Sequence, residues 1–270
     1  MTRVSAATLP PWAIVHVPHD ATAIPPETRG HFVVDDERLG LELIRMADHY
    51  SFDLLARGLP SHQVVRFPVS RLVVDVERFE NDEDEPMAAR GMGVIYQRSH
   101  DLQPLRRALT YEEREALLAR WYRPHHEALT NVVDAILTLH GRAVVIDAHS
   151  YPSQPLPYET DARAARPQIC IGADTFHTPP ALTAALSAEI QRHGYSTAIN
   201  TPFAGTIIPM KHYRRDPRVI GVMIEVRRDL YLDEITGTPT SALEGLSDTL
   251  RSCLVIAFAK LEGVEGGVSS

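Results

Sequence analysis

Cysteine is scarce in this sequence: Cys170 and Cys253 are the two present in 270 residues. Two cysteines cannot build a disulfide framework or a cysteine-rich zinc module, and they suit a reducing, cytoplasmic setting. Basic charge is also short. There are 27 Lys and Arg against 35 Asp and Glu, a formal net charge of -8, which argues against a nucleic-acid binder because neutralising phosphates needs a basic face. No apolar run reaches 18 residues, so no membrane span is expected. Residues 1–12 lack the basic segment and following apolar stretch of a secretory signal. What is present, 44% hydrophobic and 23% charged residues with 15 Gly and 20 Pro, is the make-up of a soluble globular protein. Thirteen histidines are somewhat many for this length and direct attention to where they fall.

Strand-like and helix-like stretches alternate. Residues 12–17, 64–67, 72–76, 143–148, 168–172 and 219–226 are short, apolar or β-branched runs and are predicted strands. Helices are predicted over 36–49, from Thr110 to His140, over 180–194 and over 240–262. Thr110 and Glu113 have the spacing of a capping box. Pro124 is expected to kink or restart its helix, and Gly141 to stop it. Residues 80–93 and 151–168 read as loops. Strands separated by long helices predict a three-layer α/β/α arrangement. With no repeat and no linker-like shift in composition, residues 1–270 are expected to form a single domain, with a disordered tail near 263–270.

Ligand sites in such folds lie outside the carboxyl ends of the strands, and three predicted strands end in reactive side chains. The first runs into Pro18-His19-Asp20. The second ends in Asp147-Ala148-His149-Ser150, with Asp147 and His149 on one side because strand side chains alternate. The third carries Glu225 inside an apolar run and continues into Arg227 and Arg228. Two histidines with nearby carboxylates suit Zn2+ with an open position for water. On this reading His19 and His149 are ligands, Glu225 is the general base, and Asp147 or Asp20 supports a histidine from behind. Ser150 cannot complete a relay with its neighbours His149 and Asp147, since adjacent strand residues face opposite ways. The ordinary alternative for each histidine is a loop or packing position, and His125 in particular is read as a helix-surface or packing residue. Residues 70–79 read as a strand with Arg71, Val73, Asp75 and Glu77 on one face and Arg78 on the other. That strand is either a charged sheet edge or the source of an arginine that reads a substrate carboxylate.

Taken together, Pro18-His19, the Ser70-to-Arg78 segment, Tyr122-to-His126, Asp147-to-Ser150, Gly205-to-Tyr213 and Ile224-Glu225 followed by Arg227, Leu230 and Tyr231 resemble the N-formylglutamate amidohydrolase family, in the same order along the chain. The resemblance implies a mixed-sheet α/β/α fold related to zinc carboxypeptidases. It also implies one Zn2+ per chain and metal-activated hydrolysis of the amide of a small N-formyl or N-acyl amino acid. It implies His19 and His149 as zinc ligands, Glu225 as general base and Arg78 as the holder of a substrate carboxylate, with Arg71 and Arg227 as further substrate-binding candidates. Zinc carboxypeptidases carry a Glu three residues after the first His, where this chain has Thr22. The resemblance then offers Asp36 as third ligand, with Asp35 or Asp20 behind it. The family's Asp-Leu-Asn-Arg is Asp75-Val76-Glu77-Arg78 here; the added negative charge favours a different N-acyl amino acid, or one with a cationic part, over N-formylglutamate. The rival readings are a zinc peptidase or cell-wall amidase on the same frame and a non-catalytic binding protein for an acidic ligand.

Overall fold

The computed structural model describes residues 8–266. Six strands form one mixed sheet: β1 (Ala13–Val17), β2 (Val64–Arg66), β3 (Ala143–Tyr151), β4 (Ile169–Gly172), β5 (Thr197–Ile199) and β6 (Val219–Arg227). Their spatial order is β2-β1-β3-β6-β4-β5. β4 runs antiparallel to β6, and every other neighbouring pair is parallel. The centre is β3 beside β6. All nine residues of β3 and eight of the nine in β6 are buried, as expected of near-continuous apolar runs covered on both faces. His149 on β3 sits directly opposite Glu225 on β6, so the two side chains project to the same side of the sheet.

Seven α-helices flank the sheet: α1 (Pro26–Arg29), α2 (Asp36–Met46), α3 (Ser51–Leu55), α4 (Tyr111–Leu117), α5 (Arg123–His140), α6 (Pro180–Arg192) and α7 (Leu243–Gly266). The result is the expected α/β/α sandwich. α5 packs on β1, β2 and β3, while α7 packs with α3 and α6. α4 opens on the expected capping box, with the Thr110 side chain accepting from the Glu113 N–H and Glu113 reaching back to the Thr110 N–H. Between α4 and α5 lies a π-helical turn, Leu118–Tyr122. Pro124 cannot donate and crowds the carbonyl four residues back, and the widened turn just before it absorbs that conflict. α5 stops at Gly141, whose φ of 73° is the left-handed value that favours glycine. Both cysteines are free and buried. No described helix is long and apolar enough to cross a membrane.

The strand expected over 72–76 does not form; residues 71–79 are a chain of turns. Its cause is Asp75, fully buried and bonded to groups from its own segment and from two others. A buried carboxylate must gather donors, and here that need outweighs the β propensity of its valines. α1, α3 and β5, of three to five residues, are too short to show a period. Of the expected tail, residues 263–266 continue α7 and residues 267–270 lie outside the described residues.

The sheet centre and the helix caps should contribute unequally to stability. Ile146→Ala, at a fully buried β3 position, is expected to lower unfolding free energy by about 2–5 kcal/mol. Thr110→Ala, at the exposed capping box, should cost about 1 kcal/mol. Urea titration of the two variants beside wild type checks both values.

Candidate metal centre and substrate cavity

The carboxyl ends of β1, β3 and β6 converge on a cavity of about 470 Å³, within the roughly 300–1,000 Å³ usual for small-molecule sites. Its floor is built by His19, just past β1, His149 near the end of β3, and Asp48, which follows α2. These three are buried, and their ligand atoms lie within 4.8 Å of one another. The Asp48 N–H donates to the His19 carbonyl (2.9 Å), which ties the end of α2 to the end of β1. The Nδ1 atoms of both histidines face one Asp48 oxygen, His149 at 2.9 Å and His19 at 3.7 Å. His19 Nδ1 is buried with no hydrogen-bond partner.

The other ring nitrogens face carboxylates, that of His19 through a hydrogen bond and that of His149 at ion-pair distance, with no hydrogen bond among the described residues. His19 Nε2 bonds Asp75 Oδ1 at 2.8 Å, and His149 Nε2 lies 3.1 Å from Asp147 Oδ1 and 3.0 Å from Glu77 Oε2. Carboxylates in that position fix the tautomer and orientation of metal-binding histidines. Two imidazoles and one carboxylate, convergent and backed in this way, fit the donor set of a catalytic zinc site. Burial works against charge on Asp48, but the hydrogen bond from His149, the nearby His19 ring and the charge of Arg228 outweigh it and hold the carboxyl well below the usual range. For His149, burial opposes protonation, yet the charges of Glu77 and Asp147 drive its pKa well up. Without a cation this cluster therefore balances its carboxylates with protons, which a divalent ion would replace.

Glu225 lines the same cavity, and its Oε2 is buried without a hydrogen-bond partner. Burial pushes its carboxyl up to about 8, with His149 and Arg228 pulling down and Asp48 and Glu77 adding to the rise. A carboxyl of that kind can both take and give a proton near neutral pH. Arg78 also lines the cavity. Its guanidinium has only longer ion pairs, 3.8 Å to Asp75 and 3.9 Å to Glu85.

Of the residues expected from sequence, the structure brings together His19, His149, Glu225, Arg71 and Arg78, and it leaves out Asp36 and Arg227. Asp36 cannot be a ligand: its side chain is 90% exposed and pairs with Arg29. It starts α2, whose 11 residues make a helix about 16 Å long, and the far end of that helix abuts the site. Asp35 caps the same helix by accepting from the Arg38 N–H, and Asp20 pairs with Arg66 at 2.8 Å. Asp48, at the end of α2, is the carboxylate that stands beside the two histidines instead. A signal for it exists in the sequence, since an acid at a helix C-terminus opposes the helix dipole and needs a reason to be there. Arg227 turns to Asp229 and the Arg166 carbonyl, while Arg228 lines the cavity. Arg71 is held by Asp75 (2.7 Å) and Tyr96 (3.2 Å). His125 is the packing residue it was expected to be, bonded to His16 on β1.

One loop, whose Gly205-to-Tyr213 stretch shares in the family resemblance, carries no site residue expected from sequence. Residues 200–213 bring Phe203, Ile207, Met210 and Tyr213 to the cavity. The loop is anchored where the Ile207 N–H donates to Asp147 Oδ2 (3.0 Å). It passes so close to β4 that a Cβ on Gly172 would lie 2.2 Å from the Gly205 carbonyl oxygen, which requires glycine there.

Comparison with known proteins agrees with this architecture. The chain is 28% identical over 231 residues to an N-formylglutamate deformylase of Pseudomonas putida, covering 82% of each. It matches the crystal structure of an N-formylglutamate amidohydrolase from Ralstonia eutropha JMP134 with a TM-score of 0.78 at 23% identity, over 95% of this chain and 98% of that one. A gene product of Agrobacterium tumefaciens aligns with a TM-score of 0.68 at 19% identity, over 93% and 92%. The family model for N-formylglutamate amidohydrolase matches residues 12–232, the span that carries the whole cavity floor, and the chain belongs to that family.

Proposed function

We propose that this protein is a zinc-dependent amidohydrolase that cleaves the amide of an N-formyl or short N-acyl amino acid. The observation that carries the proposal is the convergence of His19, Asp48 and His149, with Glu225 beside them across the β3–β6 pair, on a cavity that also holds Arg78. His19 Nδ1, His149 Nδ1 and Asp48 would hold the ion. When bound, zinc polarises a carbonyl and lowers the pKa of water to about 7.

The chain's own residues do the rest. Arg78, with its guanidinium unengaged by close bonds, receives the substrate carboxylate, for which its planar fork is suited. That contact sets the scissile amide beside Glu225. Glu225 accepts the proton of the attacking water and delivers it to the leaving amine, a double role open to a cavity-lining carboxyl with no hydrogen-bond partner among the described residues. Asp75 and Asp147 keep the two imidazoles in the tautomer and orientation that ligation needs. Arg228 spends no donor on substrate: it bonds Asp48, Ser150 and the Arg45 carbonyl, which locks the ligand Asp48 to the ends of β3 and α2.

Three outcomes are expected. Elemental analysis of wild type should find one zinc per chain, lost in His149→Ala and Asp48→Asn but retained in Asp36→Asn; retention in Asp48→Asn would refute the ligand set. Glu225→Gln should keep its metal while amide hydrolysis falls by about 10²–10⁴, measured as formate or acid release. Arg78→Met should raise KM for a carboxylate-bearing substrate far more than it lowers kcat, and an unchanged KM would remove its assigned role. A wild type that takes up no zinc yet binds N-acyl amino acids would mark a binding protein instead.

A further inference from the structure

If the hydrolase reading is right, the cavity also limits what the amino acid can be. A substrate with two carboxylates needs two cationic partners, because a buried charge without a counter-charge is costly. The cavity lining contains three guanidiniums, of Arg71, Arg78 and Arg228. Two are already engaged. Arg228 donates from Nε and both terminal nitrogens to Ser150, the Arg45 carbonyl and Asp48, all between 2.7 and 3.2 Å. Arg71 donates to Asp75 and Tyr96 from Nε and one terminal nitrogen. Arg78 remains, and among the described residues its Nε is buried with no hydrogen-bond partner. The charge of Arg71 is already balanced by Asp75 at 2.7 Å, with Asp48 4.0 Å away. Arg78, whose ion pairs are all at 3.8 Å or more, is thus the one lining guanidinium with no close carboxylate among the described residues, and it serves one substrate carboxylate.

Away from the histidines the lining is apolar. Val76, Phe79 and Tyr122 come from the turn segment and the π turn, and Phe203, Ile207 and Met210 from the loop after β5. Phe79 and Met210 are 52% and 64% exposed, although apolar side chains of this size usually find cover. The buried polar atoms on this part of the lining that lack partners are His126 Nε2 and Thr206 Oγ1. Thr206 is uncharged, and burial together with the charge of His16 lowers the His126 pKa to about 4, which keeps that ring neutral as well. Glu77 is faced by three imidazoles, of His16 (3.6 Å), His19 (3.9 Å) and His149 (3.0 Å), which offset its charge, although its Oε1 has no hydrogen-bond partner among the described residues. It also adds negative charge to the cavity lining, which repels a second carboxylate.

We infer that this chain acts on monoanionic N-formyl or short N-acyl amino acids whose side chain is uncharged and largely apolar, and that a dicarboxylate such as N-formylglutamate is a poor substrate. The α-carboxylate pairs with Arg78, and the side chain lies against Phe203, Ile207 and Met210. Hydrophobic pockets discriminate by roughly 10–200-fold per methylene, so the preference should be plain in kcat/KM.

The test uses the zinc-loaded full-length protein with N-formyl-L-leucine, N-formyl-L-phenylalanine, N-formyl-L-glutamate and N-formyl-L-lysine, following formate release. The expected result is a kcat/KM at least tenfold higher for the apolar pair than for either charged substrate. Phe203→Ala and Met210→Ala should each narrow that gap by slowing the apolar substrates; Met210 is exposed enough that its variant should fold. Glu77→Gln should narrow it from the other side, by improving N-formyl-L-glutamate. Equal or faster hydrolysis of N-formyl-L-glutamate or N-formyl-L-lysine would overturn this inference and leave the hydrolase reading standing. No hydrolysis of any of the four by protein carrying one zinc would overturn both.

Discussion

Carboxylates crowd the carboxyl end of the sheet. Asp48, Asp75, Glu77, Asp147 and Glu225 come from four segments of the chain, and all but Glu77 are almost fully buried. Like charges in so small and dry a space destabilise the fold unless each finds a cation or a proton. The rest of the centre is the set of answers to that problem. Asp75 takes Arg71, His19, Tyr96 and the Glu77 N–H. Asp48 takes His149 and Arg228. Asp147 takes His16 and the Ile207 N–H. Glu225 has no hydrogen-bond partner for its Oε2 among the described residues, and burial raises its pKa. Removing one member therefore leaves a buried charge exposed to its neighbours, and the cost is the uncompensated charge and not the lost contact alone.

This charge balance also explains what the sequence could and could not show. β1, β3 and β6 were legible because a strand covered on both faces is written as an unbroken apolar run, and the reactive residues at their ends, His19, His149 and Glu225, stood out against it. Alternation placed Asp147 and His149 together, and the structure keeps them 3.1 Å apart. The segment from Arg71 to Arg78 misled for the same reason that the strands were readable. Its valines are buried, so its pattern is that of a strand, yet Arg71 and Arg78 both reach back to Asp75 across four and three residues. An extended chain puts residues so spaced too far apart, and only the partners from elsewhere in the fold reveal that the carboxylate, and not the valines, sets the backbone.

Asp48 illustrates a different limit. Local chemistry distinguishes Asp35 and Asp36 from Asp48 in the wrong direction: acids are favoured at a helix start and disfavoured at its end. The first two indeed do what local chemistry asks, one as a cap and one as a surface pair with Arg29. Asp48 is tolerated at the C-terminal end of α2 because Arg228 and His149, 180 and 101 residues away in sequence, supply the charge that its own helix withholds. A functional residue can thus be marked by its conflict with local preference, with the resolution lying in tertiary contacts.

Asp147 joins the two halves of the cavity. Its Oδ1 faces His149 and His16, and its Oδ2 accepts from Ile207 on the loop that carries Phe203 and Met210. One carboxylate thus orients an imidazole of the metal cluster and anchors the apolar wall. The same β3 strand sets both, since residues 147 and 149 share a face and the strand is paired with β6 along its length and with β1 as far as Asp147. On the proposed reading, placement of the wall relative to the cluster is then set by a buried strand, which is the precision a catalytic site needs when a misplacement of about 1 Å can cost two orders of magnitude in rate. Specificity in this chain can change by altering side chains on the loop while the anchor at Asp147 and the cluster below it stay as they are.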